Sequence, residues 1–182
     1  MTSILPALVA QLYTLVIVDM QPGFSASNDE RTILAVLDEI RRAIKHGAAI
    51  IVIESDRKKY GSTHAVLLEL LASYDSDRWS IETKFWRHND QYSPHSGALQ
   101  VDEACEVFGF PTERFRVCGV NTDICVFFTA MELAKQYALS KLEIVMRACN
   151  VPDLGFPVDA AKSFRYYAGV HKFSNYELVD FE

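Results

Sequence analysis

Cys125 lies where a thiol can act as a nucleophile. Residues 115–130 read as an apolar strand that runs through Val120 directly into a helix, with Cys125 in the first helical turn. Thr122 or Asp123 can cap that helix, which would bring unpaired backbone N–H groups and the positive end of the helix dipole close to the sulfur and lower the thiol pKa. Buried packing is the alternative, because free cysteines are among the most buried residues.

Two charged residues follow other predicted strands. Residues 15–19 form an apolar run that ends in Asp19, and residues 80–84 are a shorter strand candidate that ends in Lys84. Open α/β sheets carry their active sites at the C-terminal ends of the strands, where Asp19, Lys84 and Cys125 would meet. Taken separately, Asp19 could instead cap the following turn and Lys84 could be a solvated charge.

These three residue types complement one another in an attack on an amide. A thiol is mostly protonated at neutral pH, so it needs a base, which Asp19 would supply. Asp19 could then return the proton to the departing nitrogen, which is too poor a leaving group to depart as an anion. Lys84 would stabilise the carboxylate before the transfer and the thiolate after it.

Three motifs carry a resemblance to a known family. Val-Asp-Met-Gln at 18–21, Thr-Lys at 83–84 and Gly-Val-Asn-Thr-Asp-Ile-Cys-Val at 119–126 together resemble the nicotinamidase/isochorismatase-like cysteine hydrolases, whose triad is Asp, Lys and Cys in that order. The resemblance covers nearly the whole chain. It implies a hydrolase that cleaves a carbon–nitrogen bond of a small amide through an acyl-enzyme on the cysteine.

The same resemblance implies further features of the nucleophile region. The family carries a cis peptide bond at the position that matches Val120-Asn121. The backbone N–H groups of Cys125 and of the bend at Val120 and Asn121 would form an oxyanion hole.

Substrate contacts are harder to infer. Phe24 resembles the aromatic residue that lines the pocket of the family, and Trp86 lies close to Lys84, as does Phe85. Core packing is the alternative for each aromatic residue, and for Phe128 it is the favoured one. Arg147, at the end of a predicted strand, could bind an anionic group of the substrate or equally form an internal salt bridge.

A metal site is not expected. Metal-containing nicotinamidases carry Asp-x-His and a second His after the second strand, and Asp56 and His64 match two of these positions. Lys58 stands at the intervening position, where an ammonium group cannot ligate a metal. We therefore expect no metal and no cofactor, which argues against nicotinamide itself as the substrate.

Strand and helix patterns alternate along the chain, with periodicities typical of buried strands and amphipathic helices. The predicted strands are 15–19, 48–54, 80–84, 115–120, 142–147 and 176–181, and the predicted helices are 30–46, 62–74, 98–108, 122–138 and 158–168. Repeating βα units indicate an α/β fold, a doubly wound, Rossmann-like and mostly parallel sheet of about six strands with helices on both faces.

Bulk properties bound the function. The 182 residues, 49% of them hydrophobic, suit one domain over 1–182, and neither a leader nor an apolar run long enough to span a bilayer is visible. We expect a cytoplasmic homo-oligomer, a dimer or tetramer, with four reduced cysteines and a small-molecule amide substrate. The net charge of −6 argues against nucleic-acid binding, and no membrane partner is expected.

Other functions remain open at this level. An isochorismatase-type hydrolase of a vinyl ether is the alternative enzyme, although the cysteine favours amide chemistry. A catalytically silent scaffold is a further alternative, but such proteins commonly lose a catalytic residue. A nucleotide-binding module is disfavoured, because no glycine-rich phosphate loop follows a strand.

Overall fold

A six-stranded parallel sheet forms the centre of the computed structural model, which describes residues 12–84, 92–151 and 160–180. The strands are β1 Thr14–Val18, β2 Ala49–Glu54, β3 Trp79–Thr83, β4 Arg114–Val120, β5 Lys141–Asn150 and β6 Glu177–Val179. Their order is β3-β2-β1-β4-β5-β6, and every pairing is parallel. This is the doubly wound order, in which the chain reverses direction across the sheet between β1 and β4.

Helices cover both faces of the sheet. They are α1 Glu30–His46, α2 Arg57–Tyr60, α3 Ala65–Leu71, α4 Ala98–Phe108, α5 Phe127–Gln136 and α6 Ala160–Val170, with a 3₁₀ turn at Ser25–Asn28 and a π-helical turn at Thr122–Val126. The α/β prediction is therefore confirmed. No helix in the described ranges is long and apolar enough to cross a bilayer.

The central strands β1 and β2 are apolar on both faces, because helices cover both faces of the sheet. Every residue of β1 and β2 is buried, as is typical of parallel strands sandwiched between helices. α1 begins and ends where the sequence predicts: the Asp29 side chain accepts the backbone N–H of Thr32, and Gly47 adopts the left-handed conformation at φ 63°.

Several elements differ from their predicted extents. The predicted helix 122–138 begins with the π turn, so that α5 starts only at Phe127. α2 and the 3₁₀ turn were not predicted, and β5 extends to Asn150 with a register shift opposite β4 between Val117 and Gly119. The predicted start of the helix at 158 and the end of the last strand at 181 lie outside the described residues.

Candidate active site

Asp19 and Lys84 form a buried ion pair at the C-terminal edge of the sheet. Lys84 Nζ lies 2.5 Å from Asp19 Oδ2, and the two side chains are 6% and 0% exposed. A lone buried carboxylate would be costly, and the ammonium group compensates for it. This geometry agrees with the prediction that Asp19 and Lys84 meet. It disagrees with the alternative that Lys84 is a charge exposed to solvent.

The strands explain how Lys84 reaches Asp19. Asp19 directly follows β1 and its backbone N–H donates to Ile53 of β2, while Lys84 directly follows β3 and its backbone N–H donates to Glu54 of β2. The two residues are thus separated by one strand, or about 10 Å between backbones. The long lysine side chain spans that distance over the end of β2.

Cys125 lies beside this pair. It is 5% exposed, and the Asp19 carboxylate, the Lys84 ammonium group and the backbone of Asn121 are all close enough to shift the pKa of its thiol. Since β4 is the neighbour of β1, the π turn that follows β4 carries the sulfur to the end of β1. The structure therefore brings Asp19, Lys84 and Cys125 together.

The Cys125 thiol is neutral at rest. Burial raises its pKa to about 12, the negative charge and hydrogen bond of Asp19 add to the increase, and the positive charge of Lys84 opposes it. The expectation of a lowered thiol pKa is therefore wrong. Burial and the adjacent carboxylate outweigh the donors near the sulfur.

The capping interactions expected for this segment are also absent. The turn has no side-chain cap; the Thr122 hydroxyl donates instead to the backbone oxygen of Asn150 on β5, at 2.7 Å. One carboxylate oxygen of Asp123 is buried without a hydrogen-bond partner among the described residues. Cys125 lies in this π turn, which continues directly into α5, so it does lie in the first turn of the helical segment. Burial and the Asp19 carboxylate outweigh the helix N-terminus in their effect on the thiol pKa.

The backbone before Cys125 has an unusual shape. The Val120-Asn121 peptide bond is cis, the geometry that the family resemblance implies for this position. Gly119 adopts φ 116°, and a Cβ at this position would lie 2.1 Å from the backbone oxygen of Val18. Only glycine allows β4 to approach β1 this closely at the C-terminal edge of the sheet.

Ser55 and Gln21 support Asp19 and were not identified from the sequence. The Ser55 hydroxyl donates to Asp19 Oδ1 at 3.0 Å. Gln21 holds Ser55 at both backbone groups, accepting its N–H at 2.7 Å and donating to its carbonyl at 3.1 Å. Gln21 belongs to the motif at 18–21, and that motif could have identified it. No local sequence pattern distinguishes Ser55.

The residues predicted to contact the substrate lie in different surroundings. Phe24 stacks on Tyr60 with ring centroids 4.2 Å apart, and Trp86 and Phe85 lie outside the described residues. Arg147 donates to Glu39 at 3.0 Å. Of the two roles considered for Arg147, the structure therefore shows the internal salt bridge. Because Glu39 is fully buried and requires cationic partners, we do not retain Arg147 as a substrate ligand.

The residues that match metal ligands have other roles. Asp56 accepts the backbone N–H of Lys58 at the start of α2, and His64 Nε2 lies 3.1 Å from the Ser27 hydroxyl. Burial lowers the pKa of His64. Within the described ranges no group of three or more His, Cys, Asp and Glu side chains could hold a metal ion. This donor set does not fit a zinc or iron centre.

Comparison with known proteins establishes the fold. No family model matches the chain, and no curated protein does. Among solved structures, the MAR1 ribonuclease of Caenorhabditis elegans superposes with a TM-score of 0.68 at 16% identity, over 93% of this chain and 77% of the ribonuclease.

Two hydrolases give similar superpositions. The pyrazinamidase of Pyrococcus horikoshii, solved in complex with zinc, has a TM-score of 0.61 at 18% identity over 93% of this chain and 99% of that one. An isochorismatase of Pseudomonas putida has a TM-score of 0.64 at 15% identity, over 93% of this chain and 88% of the isochorismatase. The chain therefore has the fold of the nicotinamidase/isochorismatase-like hydrolases, a fold that hosts several activities.

Proposed function

We propose that the protein is a cysteine hydrolase that cleaves the carbon–nitrogen bond of a small amide. The observation that carries the proposal is the buried Lys84–Asp19 ion pair, which lies beside the buried Cys125 thiol. A buried nucleophile, a base in contact with it and a cation in contact with the base match the requirements of nucleophilic catalysis.

The first half of the reaction forms a thioester. As the Cys125 sulfur attacks the amide carbon, its proton moves to Asp19, and Lys84 compensates the charges throughout. The backbone N–H groups of Asn121 and Cys125 are the proposed donors to the new oxyanion, and Asn121 N–H already lies close enough to the sulfur to lower the thiol pKa. Asp19 then protonates the departing nitrogen, and the carbon–nitrogen bond breaks.

The second half releases the acid. Water attacks the thioester carbon while Asp19 accepts its proton, and the sulfur departs. Return of that proton to sulfur regenerates the neutral thiol, the resting state implied by the raised pKa of Cys125. Ser55 keeps the carboxylate oriented through both steps by its hydrogen bond to Oδ1.

Several considerations favour an amide over other substrates. A structural neighbour of this chain is a pyrazinamidase, whereas the isochorismatase neighbour supports the alternative of vinyl-ether hydrolysis. A thiol with an acid–base partner suits acyl transfer, which requires a nucleophile and protonation of nitrogen. A silent scaffold is less well supported, because none of the three proposed catalytic residues has been lost and two of them form a buried ion pair.

The proposal includes metal-independent catalysis, without a cofactor. Asp56 and His64 are engaged with protein groups, and Lys58 is exposed. Phe24 and Trp86 are the proposed aromatic residues of the substrate pocket.

We also propose that the protein is a homo-oligomer. Large apolar side chains are exposed at Val107, Leu139 and Val170, at 74%, 103% and 60%. Sedimentation velocity at micromolar concentration should give a dimer or tetramer, and a monomer at all concentrations would contradict this.

Ammonia release from a panel of small primary amides tests the proposed reaction. Cys125→Ala should abolish release, because the acyl-enzyme cannot form. Cys105→Ala is the matched control: Cys105 is also 5% exposed but lies on α4, and its removal should leave turnover within about twofold. Release of ammonia by Cys125→Ala at the wild-type rate would reject the cysteine mechanism.

A further inference from the structure

A second concave site lies at the opposite edge of the sheet. A cleft of about 180 Å³ is lined by Tyr13, Arg42, His46, Arg114 and Arg116. Every charged side chain that lines it is basic. No part of the proposed catalytic machinery contributes to it.

The strands separate this cleft from Cys125. Tyr13 directly precedes β1 and Arg114 is the first residue of β4, whereas Asp19 and Asn121 follow the same two strands. The five residues of β1 therefore place about 17 Å between the two edges. The cleft is a separate site, not an extension of the substrate pocket.

Buried carboxylates hold the arginines in place from outside the cleft. Arg116 donates to Glu39 at 2.9 Å and to Glu143 at 2.8 Å, and Arg114 donates to both oxygens of Glu143. Neither glutamate lines the cleft. The cationic groups are thus fixed in position before a ligand arrives, which lowers the entropic cost of binding.

Two donors at the cleft lack partners. The Tyr13 hydroxyl and Arg114 Nε are buried without a hydrogen-bond acceptor among the described residues, and Tyr13 is 4% exposed. Burial raises the pKa of Tyr13 to about 12, so the hydroxyl remains a donor at neutral pH. Buried polar groups are rarely unpaired in folded proteins, so these donors point to an acceptor supplied by a ligand.

We propose that this cleft binds a small tetrahedral oxyanion, inorganic phosphate or the phosphate group of a small ester. Guanidinium groups suit such anions because their planar arrays of N–H donors match the oxygens. The cleft volume of about 180 Å³ lies below the ~300 Å³ of sites for drug-sized ligands, which suits a small anion.

Isothermal titration calorimetry of the full chain with inorganic phosphate at low ionic strength tests the proposal. We expect saturable 1:1 binding that Arg42→Gln weakens at least tenfold and Tyr13→Phe about threefold. Both variants should fold. Tyr13→Phe removes only an unpaired hydroxyl group. Arg42→Gln removes one cation from Glu39 and Asp180, but both carboxylates keep their ion pair with Arg116. Unchanged melting temperatures would verify this.

Arg41→Gln is the matched control. Arg41 precedes Arg42 on α1 and pairs with Asp38, but it does not line the cleft. Its substitution should change the affinity less than twofold. Equal weakening by Arg41→Gln and Arg42→Gln would show an adventitious ion only, attracted by surface charge, and would overturn the proposal, as would the absence of saturable binding.

Further titrations identify the source of the anion. Glycerol phosphate binding more tightly than inorganic phosphate would assign the cleft to a phosphate ester, and the reverse order would assign it to the free ion. Acetate at equal ionic strength should bind at least tenfold more weakly than either. Acetate binding as tightly as phosphate would contradict the assignment to a tetrahedral oxyanion.

Discussion

Asp19 is the residue on which the candidate catalytic site depends. Its carboxylate binds the Ser55 hydroxyl at one oxygen and Lys84 at the other, and it raises the pKa of the neighbouring Cys125 thiol. Its backbone adopts φ 53°, unusual for a residue other than glycine. Such conformations cluster at functional sites, because surrounding contacts must hold them in place.

The three proposed catalytic residues should behave as one unit. We expect Cys125→Ala, Asp19→Asn and Lys84→Met each to lower kcat/KM for the best amide by at least about 10³-fold, and the double variants to lose little more. The reason is that proton transfer and attack require all three groups. Steady-state kinetics of the single and double variants measures this, with circular dichroism as the control for folding, and additive losses would contradict a concerted unit.

Alkylation of Cys125 should follow the electrostatics of its surroundings. Because its pKa is about 12, the thiolate fraction rises with pH up to that value, and labelling by iodoacetamide should accelerate about tenfold per pH unit between pH 7 and 10. Asp19→Asn removes a cause of the raised pKa and should accelerate labelling at pH 8. Lys84→Met removes an opposing cause and should slow it.

Peptide mapping by mass spectrometry over a time course measures these rates. Cys105 is the internal reference, since burial raises its pKa to about 12 as well and neither substitution lies next to it. Faster labelling of Cys125 in Lys84→Met than in the wild type would show that the assigned electrostatic roles are wrong.

At the scale of elements, the close contact of β1 and β4 positions the site. Gly119→Ala should destabilise the protein by about 2–4 kcal/mol, because its Cβ would overlap the Val18 backbone and φ 116° is unfavourable for alanine. Gly169→Ala in α6 is the matched control, since its Cβ would meet nothing within 4 Å. It should be neutral or stabilising by up to about 1 kcal/mol.

Urea unfolding of both variants measures the difference in the free energy of unfolding. A loss below about 0.5 kcal/mol for Gly119→Ala would mean that the two strands can separate at low cost. The site would then be less rigid than its geometry indicates.

Local signals explain which elements could be predicted from the sequence. Asp29 and Gly47 mark both ends of α1, and uninterrupted apolar runs identify β1 and β2, so these elements were predicted to within one residue. The role of Thr122 in the π turn was not predictable, because its hydroxyl donates to Asn150, 28 residues away. Ser55 was missed for the same reason, since it lies 36 residues from Asp19.

At the scale of the whole molecule, the sheet separates the candidate active site from the proposed anion-binding cleft. Its C-terminal edge brings the Cys125 thiol beside the Asp19–Lys84 pair, and its opposite edge carries the basic cleft that contains Tyr13. The reversal of the chain between β1 and β4 creates the first of these sites, as is general for doubly wound sheets.

Catalysis should not require a metal. We expect turnover to be unchanged after prolonged treatment with EDTA or phenanthroline, because Lys58 cannot ligate and Asp56 and His64 are bound to protein groups. Elemental analysis of the purified protein should give substoichiometric zinc and iron. Stoichiometric metal, or a loss of activity that added zinc restores, would contradict the assignment.

The most direct test of the account is the detection of the acyl-enzyme. Acid quenching during turnover of the best amide, followed by intact-mass and peptide mass spectrometry, should show the protein heavier by the acyl group, with the adduct on Cys125. Hydroxylamine should remove the adduct, as expected for a thioester, and Cys125→Ala should carry none. Turnover without any adduct, together with full activity in Cys125→Ala, would contradict the central claim that Cys125 is the nucleophile.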